Sequence, residues 1–458
     1  MGDILKGKYP AKAHAKRVAD LIIEKGGDPK GVLYLEGKKT QIYEDSDQPV
    51  LFRQRRHFYY LSGCDVPDCY LTYSMGDGIL KLYIPPIHAD EVIWSGLPLS
   101  VEEATETYDI DGCGYTDALN TDLADAQKSS GRTVYVIPGQ VSDHVDLSAF
   151  SSKDTKSVKG AIETSRVRKD EYEVAMIRHA NAISSDAHAA LMKAAPSAKT
   201  EQELEAVFLK ACIERGGRYQ AYDSIVAAGT AGATLHYNKN NAPLKGKMNL
   251  LIDAGAEYRT YASDITRSFP INGSYSPESR AIYDIVLEMQ NRSFDAIKAG
   301  MIWDDVHAIA HRVAIKGLLD IGILTGGTVD EIFAAKTSVA FFPHGLGHHL
   351  GMDTHDCGGN PNPNDPDPMF RYLRLRGHVP EDAVVTVEPG IYFCRFIIEP
   401  YLKDEKHKKY IDANVLEKYW VVGGIRIEDN VLVTKDGHVN LTTAPKTADA
   451  VEALIKGA

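Results

Sequence analysis

Four histidines fall within one short stretch, PHGLGHHLGMDTHD: His344, His348, His349 and His355. Histidine is the commonest side-chain metal ligand near neutral pH and a frequent general acid or base. Spacings of four, one and six along one loop do not suit a metal site built from all four. Some of them must bind an ion or do chemistry while others stand by. Gly345, Gly347 and Gly351 allow the loop backbone to pass close to whatever it surrounds.

Carboxylates supply the other half of the chemistry. In LLIDAGAEYRTYASDIT a hairpin is expected, with a tight turn at Tyr258-Arg259 that sets Asp253 across from Asp264. Facing Cβ atoms in an antiparallel pair lie about 4.5–5.5 Å apart, so two acids there need a cation or a shared proton. The other reading is a pair of exposed acids with the register off by one or two. Glu388 ends the apolar run VVTV, and Pro389-Gly390 turns the chain straight after it. In GGIRIEDNVLV, Arg426 and Glu428 share one strand face while Ile425 and Ile427 take the other. An acid among apolar strand residues is costly to bury unless it is paired or metal-bound. Each of these acids alone also fits an edge strand or a structural Arg–Glu pair. Together with the histidine loop they favour a hard or borderline divalent ion such as manganese or cobalt, with zinc as an alternative. Four acids exceed the needs of one ion, which points to two ions sharing carboxylate bridges.

These residues need a scaffold of some size. The chain has 458 residues, 44% hydrophobic and 25% charged, an ordinary globular composition for which two domains are expected. A net charge of −12 argues against nucleic acid and against an anionic membrane surface. The opening MGDILKGKYPAKAH lacks an apolar segment of the secretory kind, and no apolar run approaches a membrane span. The six cysteines are scattered, with no CxxC, as expected of a reduced, cytoplasmic enzyme.

The first part reads as a compact α/β domain. KAHAKRVADLIIEKG is an amphipathic helix stopped by Gly26-Gly27, and GVLYLEG, YYLSG, CYLTYSM, ILKLYIPP and RTVYVIPG read as strands. The polar stretch at 148–170 places a boundary near residue 160. Beyond it, helices are expected in KDEYEVAMIRHANAISSDAHAALMKAA and in TEQELEAVFLKACIERGG, the latter with a capping box from Thr200 to Glu203. Further helices are expected near 277–299 and 303–321. Strands follow in AVVTVEPGIYF and GGIRIEDNVLVT, an α+β pattern. GGNPNPNDPDP, residues 358–368, is a Pro- and Asn-rich loop.

The set Asp253, Asp264, His348, Glu388 and Glu428 resembles the five-ligand site of the pita-bread metallopeptidases, which include methionine aminopeptidase, aminopeptidase P, prolidase and creatinase. DAGAEYRTYASDITRSFP, PHGLGHHLGMDTHD, TVEPGIY and GIRIEDNVLV occur in the family's order, over roughly 236–434. Upstream, FRQRRHFYYLSGCDVPDCYLTY and IPPIHADEVIWSG resemble the N-terminal domain of prolidase and aminopeptidase P, a domain that methionine aminopeptidases generally lack. The resemblance implies a creatinase-like N-terminal α/β domain at 1–160, helping substrate-site closure and oligomerisation, and a pita-bread catalytic domain at 161–458. It implies His348 as the histidine ligand, His355 and His236 as catalytic-site histidines, and His344 near the substrate, with His349 a bystander. Asp253 would bind one ion, His348 and Glu388 the other, with Asp264 and Glu428 bridging. Glu388 would take the proton of the attacking water, and Arg426 would hold its neighbours in register.

The activity implied is hydrolysis of the Xaa-Pro peptide bond with two divalent ions, manganese first, by a cytoplasmic homodimer. A dipeptidase of the prolidase type is the main expectation, with Arg374 reading the proline carboxylate and the 358–370 loop narrowing the mouth. The alternative is an aminopeptidase P acting on longer peptides. A peptide-binding module is disfavoured because all five ligands are present, and a creatinase because it works without metal.

Overall fold

The computed structural model describes residues 4–127 and 132–457. The chain divides into two compact units, Met1–Arg166 and Val167–Ala458.

Among the described residues, the first unit is built on a six-stranded mixed sheet. Val32–Glu36 and Thr133–Tyr135 run parallel at its centre, and Tyr70–Ser74 and Ile79–Ile84 extend it antiparallel. Val32, Tyr34, Tyr70, Tyr83 and Val134 form an apolar core on this sheet. The amphipathic helix Ala11–Glu24 buries Ala15, Val18, Ala19 and Ile22, and the chain turns away at Gly26 with φ 87°. One expectation fails here. YYLSG is not a strand: it lies in the helix Arg56–Ser62, closed by Gly63 at φ 67°. A five-residue apolar run carries no decisive period, and the left-handed glycine after it is the mark of a helix end.

The second unit combines long helices with several small antiparallel sheets, the α+β character expected of it. Helix Glu171–Ala194 starts in a full capping box, with Asp170 and Glu173 each satisfying the other's backbone N–H. Helix Glu201–Glu214 starts with Thr200 accepting from the Glu203 N–H. The reciprocal half of that box is absent, because the Glu203 carboxylate accepts from the Lys199 N–H instead, at 2.8 Å. Helices Pro277–Asp295 and Trp303–Asp320 pack on the strands Val384–Val387, Gly390–Tyr392, Gly424–Arg426 and Asp429–Thr434 around one large apolar cluster. Ile425 and Ile427 point into it, fully buried. That leaves Arg426 and Glu428 to the opposite face, as the alternation requires.

The hairpin that carries the two aspartates differs from its expected form. Asn249–Asp253 pairs with Thr266–Pro270, and Asp253 faces Thr266 rather than Asp264. A second hairpin, Ala256–Tyr258 with Tyr261–Ala262, is inserted between them and turns at Arg259-Thr260. Both turn residues have positive φ, 44° and 74°, which suits the right-handed twist of a two-residue hairpin loop. The two hairpins are joined where Gly255 passes Ser263 so closely that a Cβ would sit 1.8 Å from the Ser263 carbonyl oxygen. This crossing shifts the register by two residues. Among the described residues, no helix is long and apolar enough to cross a membrane.

Candidate active site

A cavity of about 590 Å³ opens in the second unit. Its wall gathers Asp253, Asp264, Glu388 and Glu428 with His236, His344, His348, His355, Arg374 and Arg426. Every site residue singled out in the sequence therefore lines one cavity, although the chain brings them from six separate segments.

Asp253 and Asp264 sit on the paired hairpins and are drawn together by a residue that the sequence did not single out. The Tyr222 hydroxyl lies 2.6 Å from an oxygen of each carboxylate. Its proton serves one acid at a time. Loss of water contact, and then the facing acids, hold this hydroxyl protonated, well above its ordinary range. Burial also pushes Asp253 up, to about 6, against the opposing pull of Arg426. On Asp264 burial acts in the same direction, but the hydrogen bond and charge of His348 outweigh it and leave the acid lowered. Asp264 is further fixed through its backbone, which exchanges hydrogen bonds with the Asn430 side chain.

His348 reaches the acids from the histidine loop. Its Nδ1 lies 2.9 Å from the His349 carbonyl oxygen, to which it donates. Nε2 is thereby the atom turned to Asp264 and Glu388, at 3.4 and 3.5 Å. The loop is held against the strand Val384–Val387 by hydrogen bonds between His348 and Thr386 in both directions. Gly347 makes this approach possible: a Cβ there would meet the Thr386 carbonyl oxygen at 2.0 Å. His355 stacks edge-on against His348, ring centres 4.5 Å apart, at the exposed side of the cavity. His236 is exposed and lines the same cavity. His349 faces away and is 2% exposed, its backbone in a bridge with Val385.

Arg426 organises the remaining groups. Its guanidinium donates to Asp253 at 2.6 Å, to the Thr266 hydroxyl at 3.0 Å and to the Tyr392 hydroxyl at 2.9 Å. Thr266 in turn donates a hydrogen bond to Glu428 at 2.6 Å. The Tyr392 hydroxyl donates to His344 Nε2 at 2.8 Å, and His344 Nδ1 donates to the Gly345 carbonyl at the same distance. Burial, then the charge of Arg426, holds His344 neutral, down to about 3. His344 is thus committed on both nitrogens and lines the cavity as a neutral ring. Tyr392 was within a quoted motif, TVEPGIY, but nothing in the pattern assigned it a partner.

Glu388 and Glu428 complete the cluster. Burial and the facing acids raise Glu388, to about 7, and raise Glu428 well above the carboxylate range. Among the described residues, the positive charge that meets four carboxylates packed this closely is that of Arg426 and the His348 ring, too little to neutralise them. Asp264, His348 and Glu428, all buried, offer donor atoms within 4.8 Å of one another. Such a donor set, oxygen-rich with one nitrogen, fits divalent metal ions. The 358–368 loop reaches the same cavity through Pro361 and Pro363, next to Arg371, Tyr372 and the exposed Arg374.

Known proteins match both units. A family model of metallopeptidase family M24 covers residues 175–435, and one described as the aminopeptidase P N-terminal domain covers residues 14–135. The protein of Pyrenophora tritici-repentis named "Probable Xaa-Pro aminopeptidase pepP" is 61% identical over 453 residues, covering 99% of this chain and 98% of that protein. A namesake from Metarhizium robertsii is also 61% identical, covering 98% of both. Among solved structures, aminopeptidase PepP of Pseudomonas aeruginosa has a TM-score of 0.81 at 30% identity, covering 98% of this chain and 99% of that one. Proline aminopeptidase P II from Yersinia pestis has a TM-score of 0.80 at 29% identity, covering 98% and 100%.

Proposed function

The chain belongs to metallopeptidase family M24 and is a hydrolase with the two-domain, pita-bread architecture of aminopeptidase P; from that premise we propose that it removes the N-terminal residue before proline from peptides longer than two residues. This reverses the order of the two activities expected from the sequence, where the dipeptidase came first. The observation that carries it is the near-complete coverage of relatives bearing the name Xaa-Pro aminopeptidase. The proline-rich loop lines the cavity through Pro361 and Pro363.

In this reading Asp253, Asp264, His348, Glu388 and Glu428 hold two divalent ions, manganese first among the candidates. Ions in such a site polarise the scissile carbonyl and make hydroxide available near neutral pH. Glu388, raised to about 7, is suited to take the proton of the attacking water and return it to the proline nitrogen as that bond breaks. His355 and His236, both exposed on the cavity wall, donate hydrogen bonds to the carbonyl oxygen as charge builds on it. Arg426 keeps Asp253 in place directly and Glu428 through Thr266. The neutral His344 ring bounds the substrate space. Arg374, exposed at the cavity wall, meets the C-terminal carboxylate of short substrates.

A homodimer and a cytoplasmic location belong to the same proposal. Six free cysteines suit a reducing compartment. Ile93, Trp94 and Leu97 of the first unit, 83%, 87% and 73% exposed, supply apolar surface for self-association.

The deciding assay compares Ala-Pro with Ala-Pro-Ala and a longer Ala-Pro peptide on manganese-loaded protein. The longer peptides should be cleaved with kcat/KM at least tenfold above the dipeptide. A dipeptide cleaved faster than either would return the assignment to prolidase, and hydrolysis of none would remove the peptidase reading. Arg374→Ala should raise KM for the shortest substrates more than for the longer ones.

A further inference from the structure

Gln290 lies on the helix Pro277–Asp295, outside the cavity and fully buried. Its amide nitrogen donates to two backbone carbonyls, those of Val387 at 3.0 Å and Ile427 at 3.2 Å. These are the residues immediately before Glu388 and Glu428. One side-chain amide therefore ties together the two chain segments that deliver the two glutamates. The orientation of the amide is set from behind. Lys446 Nζ donates to Gln290 Oε1 at 2.9 Å, and an ammonium cannot accept, so the NH₂ end must face the carbonyls. Lys446 is in turn held by Asp429 at 2.6 Å, and Asp429 by Arg267 at 2.7 Å. Arg267 spends all five of its N–H donors here, on the carbonyls of Thr266, Glu428, Ala444 and Pro445 and on Asp429.

The physical need for such a tie is plain from the charges. Glu388 and Glu428 repel each other and both are desolvated. The strand ends that carry them belong to different small sheets: Val384–Val387 pairs with Asp429–Thr434, and Gly390–Tyr392 pairs with Gly424–Arg426. The residues between these pairs, from Glu388 to Pro389 and from Ile427 to Glu428, lie outside both ladders. One backbone hydrogen bond, Ile427 N–H to the Pro389 carbonyl at 3.3 Å, crosses that gap, and the Gln290 amide adds a second tie beside the two glutamates.

We propose that Gln290 is a positioning residue for the metal centre, setting the distance between Glu388 and Glu428 through their preceding carbonyls. The inference rests on the assignment of these glutamates as metal ligands. Partners of this outer kind typically change metal affinity or activity 10–100-fold when removed. The test uses the full chain stripped of metal and titrated with manganese chloride by calorimetry, alongside thermal unfolding in the metal-free state. Gln290→Met, close in volume and without donors, should weaken manganese binding about tenfold or more and lower kcat with KM little changed. Lys446→Met, which frees the amide to rotate, should weaken binding in the same direction by a smaller factor. Ser293→Ala is the control, since that buried hydroxyl serves only the Met289 carbonyl of its own helix; it should bind manganese as the unaltered protein does.

Gln290→Met binding manganese within twofold of the unaltered protein would overturn the proposal, whatever its unfolding temperature. If Gln290→Met does not fold, Lys446→Met decides by the same twofold criterion. Failure of the unaltered protein to bind manganese, or full retention of binding by His348→Ala, would instead sink the ligand assignment itself.

Discussion

Tyr222 and Tyr392 show how much of a site's order rests on neutral side chains. Each hydroxyl joins polar groups that would otherwise face one another directly: Tyr222 two acids, Asp253 and Asp264, and Tyr392 the charged Arg426 and the neutral His344. The acids were legible because a carboxylate beside apolar strand residues is anomalous. The tyrosines were not, because tyrosine is at home in any strand or core, and only the fold shows what its hydroxyl meets. Tyr392→Phe should strand a buried donor on Arg426 and an acceptor on His344. We expect a stability loss of about 1–3 kcal/mol in urea unfolding, with activity reduced. The histidine loop divides in a similarly concrete way. His348→Ala should leave protein that retains no manganese after dialysis. His349→Ala should retain it but unfold more readily, by roughly 2–4 kcal/mol, because a buried ring is removed. Equal metal retention by the two variants would undo this division.

At the scale of elements, helices were the easiest to foresee. Period and glycine stop agree over Ala11–Glu24, period and cap over Glu171–Ala194, and all three over Glu201–Glu214. The aspartate hairpin was foreseen as a hairpin but not in its register. Alternation reads the same through one long hairpin or two joined ones, and the crossing of Gly255 over Ser263 is a long-range fact. The turn offers a direct check. Arg259 and Thr260 occupy a left-handed conformation that Asn and Gly adopt at lower cost. Replacing the pair by Asn-Gly should raise stability by about 1 kcal/mol in denaturant titration and leave manganese binding unchanged. A loss of stability would mean that the turn is not of this type.

At the scale of the molecule, stability against acid hangs on the buried pair of Arg267 and Asp429, whose side chains are 0% and 1% exposed. Burial alone would raise Asp429; Arg267 and Lys446 reverse this and hold it below its ordinary value. A carboxylate lowered in the folded state stabilises the fold above its unfolded value of about 4 and loses that contribution as pH falls through the folded value. Urea midpoints should therefore drop more steeply between pH 5 and pH 2 for the unaltered protein than for Asp429→Asn; parallel curves would exclude this origin. The site itself was legible only in parts, since its donors are spread from Asp253 to Glu428 and no local spacing encodes their meeting. The loop at residues 361–364 is exposed and lies between them in sequence. Asp253, Asp264 and His348 precede it, and Glu388 and Glu428 follow it. Between the two portions run many hydrogen bonds, among them Glu428 N–H to Thr266, Thr386 N–H to His348 and Leu350 N–H to Val384. A single protease cut in that loop would thus turn the enzyme into a two-piece assembly, neither piece owning a complete centre. The nicked protein should co-elute and remain active, and the separated fragments should regain activity only on mixing.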